Sequence, residues 1–129
     1  MVYLENPREK PRSSTVSWSK LRSHLRNDDL TLETKRIAKT KDGVLLVEFE
    51  ISADSKIKFR PEWIWLTQNG ITRPIHSLAL SGQELRAGER VQGVMQVLRD
   101  DVSGSLPLKI ELRRKKTSYL TIPKVAAWK

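Results

Sequence analysis

The chain has 129 residues and a mass of 14.9 kDa, enough for one domain with one hydrophobic core. Apolar residues make up 38% of it, and no apolar run approaches the roughly 18 residues needed to span a bilayer. Cysteine is absent, which excludes disulfides, thiol catalysis and cysteine-based metal sites. We therefore expect an ordinary globular domain without a membrane span.

The net charge of +9 is carried by the two ends of the chain. Residues 1–26 hold six basic and two acidic side chains, and residues 109–129 hold seven basic and one acidic, whereas the segment between them is close to neutral. Such an excess can simply keep a protein soluble. It also fits an acidic partner, either nucleic acid or anionic lipid, so both interpretations stay open.

The first 14 residues have no hydrophobic period, and Pro7 and Pro11 each remove a backbone donor. We expect an extended N-terminal arm there, with Tyr3 and Leu4 as its candidate docking side chains. The segment lacks the apolar stretch of a signal peptide. If Met1 is the natural start, the expected location is the cytoplasm.

Residues 15–29 have a helical spacing. Trp18, Leu21 and Leu25 lie three and four apart, and Ser17 could cap the first turn. This pattern predicts a short amphipathic helix followed by a turn at residues 27–29.

From residue 30 the period of the apolar residues changes to two, which is typical of strands. Lys41–Gly43 and the Asn69-Gly70 pair predict hairpin turns, and Pro74 places its strand at an edge or a bulge. Strands are predicted at 30–38, 44–52, 56–67, 71–76, 91–98, 106–113 and 118–122. Seven short antiparallel strands without interleaved helices indicate a Greek-key β-sandwich over residues 30–123, with a small barrel as the alternative and residues 124–129 as a C-terminal tail.

The alternation also predicts the residues of the core. One face of each of three predicted strands is consistently apolar. The predicted core residues are Leu45, Val47, Phe49, Ile51, Val91, Met95, Val97, Leu108, Ile110 and Leu112.

In its strand count, in the turn at residues 87–89 before a strand and in the Ile122-Pro123 ending after the last strand, the sequence resembles bacterial immunoglobulin-like domains of unassigned function. The resemblance covers about residues 30–125. It implies an immunoglobulin-like sandwich and an interaction or assembly role, without assigning a role to any residue.

No catalytic or metal-ligand set is evident. His24 and His76 lie on different predicted elements, and neither has a further ligand at metal-site spacing. The adjacent pairs Asp28-Asp29 and Asp100-Asp101 fall in predicted turns, where aspartate is common. We expect no enzyme activity, no cofactor and no small-molecule substrate.

Two features are candidates for binding a partner. The first is a basic patch at a predicted hairpin tip, where adjacent like charges suggest a role in binding and not in folding. It comprises Lys109, Arg113, Arg114, Lys115 and Lys116. A merely solvated turn is the alternative, and Tyr119 is the only aromatic residue near this tip in the sequence.

The second feature is aromatic. Trp63 and Trp65 are two apart and are expected on the same face of one strand, as an exposed patch or as a surface covered by the predicted helix. Trp128, near the end of the tail, is expected to dock on this domain or on a neighbour.

These features favour a non-enzymatic structural or adaptor subunit of a larger protein assembly, possibly a homo-oligomer, that docks through its arm, tail and basic hairpin. The alternative is a non-specific nucleic-acid-binding module that uses the basic hairpin and the N-terminal segment to contact phosphates.

Overall fold

A computed structural model describes residues 16–123 of the chain. The predicted arm and tail, with Tyr3, Leu4 and Trp128, lie outside the described residues. The described part is all-β, as predicted, and all of its strand pairs are antiparallel. The strands are β1 (Val16–Asn27), β2 (Leu30–Thr40), β3 (Val44–Ala53), β4 (Ile57–Lys58), β5 (Ile64–Gln68), β6 (Ile71–Arg73), β7 (Ser77–Leu80), β8 (Glu84–Leu85), β9 (Arg90–Leu98), β10 (Leu108–Arg113) and β11 (Thr117–Ile122).

The strands form two main sheets. One sheet has five strands in the order β1-β2-β3-β9-β7, the other has four in the order β11-β10-β5-β6, and β4 pairs with β8 separately. Two short 3₁₀ turns, Pro61–Trp63 and Arg99–Asp101, precede β5 and follow β9. Within residues 16–123, no helix is long or apolar enough to cross a bilayer.

One hydrophobic core is shared by the two sheets, as expected for a β-sandwich. Its inward residues alternate with outward polar ones along β10 and along β3 from Val47 onward, so the period of two in the sequence is the burial pattern there; Leu46, at an outward position of β3, is buried as well. All ten predicted core residues are buried in this cluster, and Phe59, Leu85 and Leu120 join them.

The predicted hairpin turns are confirmed by backbone geometry. Asn69 and Gly70 both have positive φ, 50° and 79°, as a type I′ turn requires. Gly43 has φ 87° at the turn between β2 and β3. At the sheet edge, β6 ends at Arg73, immediately before Pro74, which cannot donate to a ladder.

The predicted helix over residues 15–29 is wrong, because this segment is the edge strand β1. A β-bulge between Lys20 and Ser23 shifts the side-chain phase, so the spacing that suggested a helix arises from an interrupted strand. Buried Thr34 stabilises the bulge, since its hydroxyl accepts a hydrogen bond from the Ser23 amide and donates one to the Ser23 carbonyl. Pairing with β2 therefore outweighs the local helical pattern.

The predicted strand 56–67 is also divided. It comprises β4, the 3₁₀ turn and β5, because Pro61 lacks the amide that a continuous ladder needs. The short strands β7 and β8 were not predicted; their segment is rich in turn residues and lacks a clear alternation.

Candidate binding surface on the four-stranded sheet

The basic hairpin, residues Arg113–Lys116, lies where β10 turns into β11. Three of its four cations are ion-paired. Arg113 bonds Glu111 at 2.8 Å, Arg114 bonds Asp29 at 3.1 Å, and Lys116 lies 3.3 Å from Asp28. Within residues 16–123, Lys115 is the member of the hairpin that is exposed and has no ion pair.

Two of the three partners, Asp28 and Asp29, come from the turn between β1 and β2, residues 27–29, which lies directly against the basic hairpin. Asn27 is fully buried and donates from Nδ2 to the carbonyls of Leu112 and Lys116, at 3.1 and 2.9 Å. Arg114 Nη1 also donates to the Asn27 carbonyl. We call this set of interactions between the two turns the turn contact. Because it joins the two sheets, we expect the hairpin to contribute to stability, in contrast to the prediction from sequence that it acts in binding alone.

The carboxylate of Asp29 is the electrostatic centre of the turn contact. A hydrogen bond from the Ser55 hydroxyl, at 2.6 Å, and a second from the Arg114 guanidinium hold the pKa of Asp29 below its usual value. Both donors stabilise the charged form of the carboxylate. Asp29 is therefore ionised in the folded protein near neutral pH.

Two tryptophans lie next to the basic hairpin because β5 pairs with β10. The Arg113 guanidinium stacks over the Trp65 ring at 4.2 Å, and that of Arg114 lies 4.9 Å from the Trp63 ring centre. The two rings do not share a strand face as expected. Trp63 lies in the 3₁₀ turn, edge-on to Phe59 at 5.4 Å, whereas Trp65 lies on the outer face of the four-stranded sheet.

The outer face of the four-stranded sheet combines aromatic rings and charges. Tyr119 and Trp65 are both direct cross-strand partners of Glu111, so the two rings lie on either side of that carboxylate. Tyr119 is 57% exposed, and Lys109 Nζ lies 4.5 Å from its ring centre. We call these residues the aromatic–basic face: Trp65, Lys109, Glu111, Arg113 and Tyr119.

Both carboxylate oxygens of Glu111 accept hydrogen bonds from neighbouring side chains. Its Oε1 accepts from Arg113 and its Oε2 accepts from the Thr67 hydroxyl at 2.9 Å. The groups of this face that remain available to a partner are therefore its cations and its aromatic rings. Cations over aromatic rings are attracted to the negative ring faces, and the exposed ring of Tyr119 leaves surface for stacking against a partner.

The other candidates from the sequence form no site among the described residues. His24 on β1 and His76 in the loop before β7 are both exposed, and no group of three or more potential metal ligands is present within residues 16–123. A shallow cleft of about 410 Å³ lies at the β2–β3 turn, and its charges are mixed. The cleft is lined by Lys41, Asp42, Gly43, Leu98, Arg99 and Asp100.

In the sequence, Asp28 and Asp29 indicate a turn only, and nothing there indicates their pairing with the basic hairpin. The two turns are separated by more than 80 residues, and no local pattern indicates which distant turns meet. Along the sequence Tyr119 is the only ring near the hairpin, because the pairing of β5 with β10 cannot be read from the strands themselves. The alternation of Lys109, Glu111 and Arg113 did indicate that they share one outward face.

Comparisons with known proteins bear on the fold alone. No family model matches the chain, and no curated protein matches it. The crystal structure of a functionally unknown protein from Listeria monocytogenes EGD-e is similar, with a TM-score of 0.53 over 86% of this chain and 90% of that chain. The two sequences are 10% identical, so the likeness concerns the arrangement of strands.

Proposed function

We propose that the protein is a non-enzymatic structural or adaptor subunit of a larger protein assembly, and that the aromatic–basic face is its docking surface. The observation that carries the proposal is the placement of Tyr119, a large ring left 57% exposed beside Lys109 on an outward sheet face. Exposed aromatic residues together with arginine are typical of the central residues of interfaces. A partner with acidic groups and apolar or planar surface would match this face.

A finer fold assignment belongs to the same proposal. We infer an immunoglobulin-like sandwich with Greek-key connections, as the sequence resemblance implies. The chain order supports it, since the chain leaves the five-stranded sheet after β3, returns to it with β7 and β9, and crosses again to β10. Such exchanges between sheets are typical of Greek-key sandwiches. Domains of this architecture serve many roles, so the assignment adds no specific activity.

The docking role can be tested by co-purification of the full chain from its native source. We expect wild type to carry stoichiometric protein partners and the Tyr119→Ser variant to lose them. Thr121→Ala is the matched control, because Thr121 is exposed two residues further along β11 and should retain the partners. Equal recovery of partners by Tyr119→Ser and wild type would contradict the docking surface.

Nucleic-acid binding is the second candidate, and one observation favours it. Three aromatic rings, Trp63, Trp65 and Tyr119, lie beside cations of the basic hairpin and β10, whereas the sequence suggested only one. Stacking on aromatic rings and contacts to phosphates are the usual basis of single-strand binding. Lys109 and Lys115 have no ion pair within residues 16–123 and would be the phosphate contacts.

The second candidate predicts a salt dependence that a protein-docking role does not. Affinity for a labelled mixed-sequence single strand would be measured by anisotropy between 50 and 200 mM salt. Replacing Lys109 and Lys115 by serine should reduce the slope of log K against log salt by about 1.4, at about 0.7 per phosphate contact. Unchanged affinity and an unchanged slope would contradict nucleic-acid binding through these lysines. The co-purification result would be unaffected.

A further inference from the structure

The two main sheets leave four edge strands, and β7 differs from the other three. The five-stranded sheet ends at β1 and β7, and the four-stranded sheet ends at β11 and β6. An edge strand presents backbone amides and carbonyls with which a second chain can pair. Proteins commonly protect such edges with bulges, lysines, prolines, inward charges or a covering element. An edge without these features is a candidate for pairing with a partner.

Three of the four edges carry such protection. β1 contains the bulge between Lys20 and Ser23, and its exposed side chains include Lys20 and Arg22. β11 packs against β1 at the same side of the sandwich. β6 has only three residues and stops before Pro74. These features hinder the addition of a further strand at each of the three edges.

Arg73 gives β6 a further protection. Its direct partner on β5 is Leu66, which is buried in the core, so the arginine points to the inward side of the sheet edge. Among the interactions of residues 16–123, its Nε is buried and makes no hydrogen bond. An inward charge on an edge strand is one of the features that disfavour pairing between edges. The unpaired donor therefore fits an edge that is kept free of further strands.

β7, residues Ser77–Leu80, has none of these features in the described part of the chain. Its four residues are uncharged, include no proline and pair with β9 in continuous register. The nearest acidic or basic residues in the sequence, histidine aside, are Arg73 and Glu84. Leu78 and Leu80 are half-buried and pack against the core. Part of each leucine side chain therefore remains accessible to a partner.

The backbone groups of Leu78 and Leu80 point away from β9. The Ser81 amide donates to the Gln92 carbonyl at 2.8 Å, which fixes the hydrogen-bonding phase of the β7–β9 pair. Alternate residues of an antiparallel strand bond to the same neighbour, so Ala79 also bonds toward β9. The two leucines then present their amides and carbonyls to the other side, which is the edge of the sheet.

We propose that this edge pairs with the same edge of a second copy of the chain, which joins two five-stranded sheets into one. An antiparallel pair with its twofold axis at Ala79 places Leu78 of each copy opposite Leu80 of the other. The amides and carbonyls of both leucines then form hydrogen bonds between the copies. Ala79 faces its own counterpart as a non-hydrogen-bonded pair, in which Cα atoms approach to about 4.5 Å. A small side chain suits that close approach.

The sequence around β7 favours a second copy over an unlike partner, because the edge is complementary to itself. In the antiparallel pair each leucine meets a leucine, and the accessible parts of both are covered together. The antiparallel direction also brings the Arg73 end of one copy toward the Glu84 end of the other, so opposite charges flank the pair on both sides. Self-complementarity is the requirement of a twofold interface, the commonest kind in soluble oligomers.

The pairing uses a different surface from the aromatic–basic face and does not rest on the function proposed above. β7 is an edge of the five-stranded sheet, whereas the aromatic–basic face lies on the outer side of the four-stranded sheet. Pairing between edges extends a sheet and leaves the outer side of the opposite sheet uncovered. A dimer formed through β7 would therefore present two aromatic–basic faces to partners.

Cross-linking at the twofold axis tests the pairing in the full chain. The protein has no native cysteine, so Ala79→Cys introduces a single thiol. Cα atoms about 4.5 Å apart allow a disulfide, and we expect oxidised glutathione to convert most of this variant into a covalent dimer. Thr121→Cys is the matched control, because Thr121 is exposed on β11 at the far edge of the other sheet. It should remain largely monomeric under the same conditions.

Sedimentation equilibrium of variants without cysteine gives a second measurement. Between about 10 μM and about 1 mM protein, we expect wild type and Tyr119→Ser to dimerise to the same extent. Ala79→Lys should stay monomeric, because two ammonium groups would meet at the axis, whereas Ala79→Ser should still dimerise. Ala79 alternates with the core-packed leucines and thus faces outward, so neither substitution should shift the urea midpoint appreciably.

Each contrary result would overturn the proposal. Wild type that stays monomeric at the highest concentration would show that the edges do not pair. Equal cross-linking of the two cysteine variants would show random collision in place of a defined contact. A dimer that persists in Ala79→Lys, or one that only Tyr119→Ser disrupts, would assign the interface to another surface. None of these results depends on recovery of other proteins, so the docking role of the aromatic–basic face is tested separately.

Discussion

Gly93 and Phe49 are direct cross-strand partners, and the phenyl ring of Phe49 fills the space that a side chain at position 93 would need. A Cβ built at Gly93 would fall on the Phe49 ring, far inside van der Waals contact, and would also touch Leu80. The inward phase of both residues follows from the alternation in the sequence. That the ring lies directly over the glycine could not be predicted, because it depends on the register between β3 and β9.

Gly93→Ala should destabilise the fold by about 1–3 kcal/mol, since an added methyl in a packed core forces neighbouring atoms to move. Gly82→Ala is the matched control, because a Cβ at Gly82 meets nothing within 4 Å. Urea titration of the two variants gives the comparison. A smaller loss for Gly93→Ala than for Gly82→Ala would contradict the close packing of β9 on the phenyl ring.

Phe49→Ala should cost roughly 3–5 kcal/mol, the usual range for a fully buried phenylalanine. Its neighbour Glu48 faces outward and makes a two-point contact with Arg36, at 2.6 and 3.1 Å. Exposed pairs of this kind contribute about 0–1 kcal/mol, so Glu48→Ala should have a small effect. If Glu48→Ala lowered the urea midpoint more than Phe49→Ala, the assignment of the inward and outward faces of β3 would be wrong.

At the level of elements, the turn contact joins two hairpins that are more than 80 residues apart in the chain. Strands with a clean alternation, such as β3 and β10, were predictable from sequence within a few residues. β1 was not, because its bulge produces helical spacing and its identity is decided by the hydrogen bonds that β2 offers. The turn contact could not be predicted either, since it needs the pairing of sheets that no single strand encodes.

Arg114→Ala should lower the free energy of unfolding by about 1–2 kcal/mol, because it removes charge-assisted hydrogen bonds from a largely buried guanidinium. Lys115→Ala, one residue away and exposed, should change it by less than about 0.5 kcal/mol. The two variants remove the same charge, so their difference isolates the turn contact. Equal midpoints in urea would show that the contact contributes nothing to stability.

For the molecule as a whole, the lowered carboxylate pKa values make stability depend on acid pH. The pKa of Asp29 is lowered by Ser55 and Arg114, and that of Glu50 by Gln92, with Arg90 and Lys35 adding to it. A group with a lowered pKa in the fold stabilises it fully above its unfolded pKa, here about 4, and loses that stabilisation as the pH falls through the folded value.

Unfolding midpoints in urea should therefore be nearly constant from pH 7 to about 5 and fall steadily below about pH 4. Asp29→Asn should show a lower midpoint at pH 7 and a shallower fall in acid, because the carboxylate that must take up a proton is gone. An identical dependence on pH in variant and wild type would show that Asp29 is not part of the acid response.

Only part of the candidate surface could be predicted from the sequence, because the rest depends on the fold of the whole molecule. The sequence identified Lys109 and the hairpin cations as one outward group, because they fall at alternate positions and in the adjoining turn. It did not show that Asp28 and Asp29 would neutralise two of them, or that Trp65 would join Tyr119 beside Glu111. Those facts depend on the order of strands in the sheets, which is a property of the complete fold.

The burial of Asn27 has a consequence for the order in which the protein can be made. Its amide donates to the carbonyl of Leu112, 85 residues later in the chain. At about 5–20 residues per second, a ribosome would take about 4–17 s to supply that acceptor after Asn27 itself has been added. Until then the β1–β2 hairpin can form only with this amide in contact with water or a chaperone. The inner surface of the first sheet therefore stays open until the β10–β11 hairpin leaves the exit tunnel, and the sandwich can close only after that.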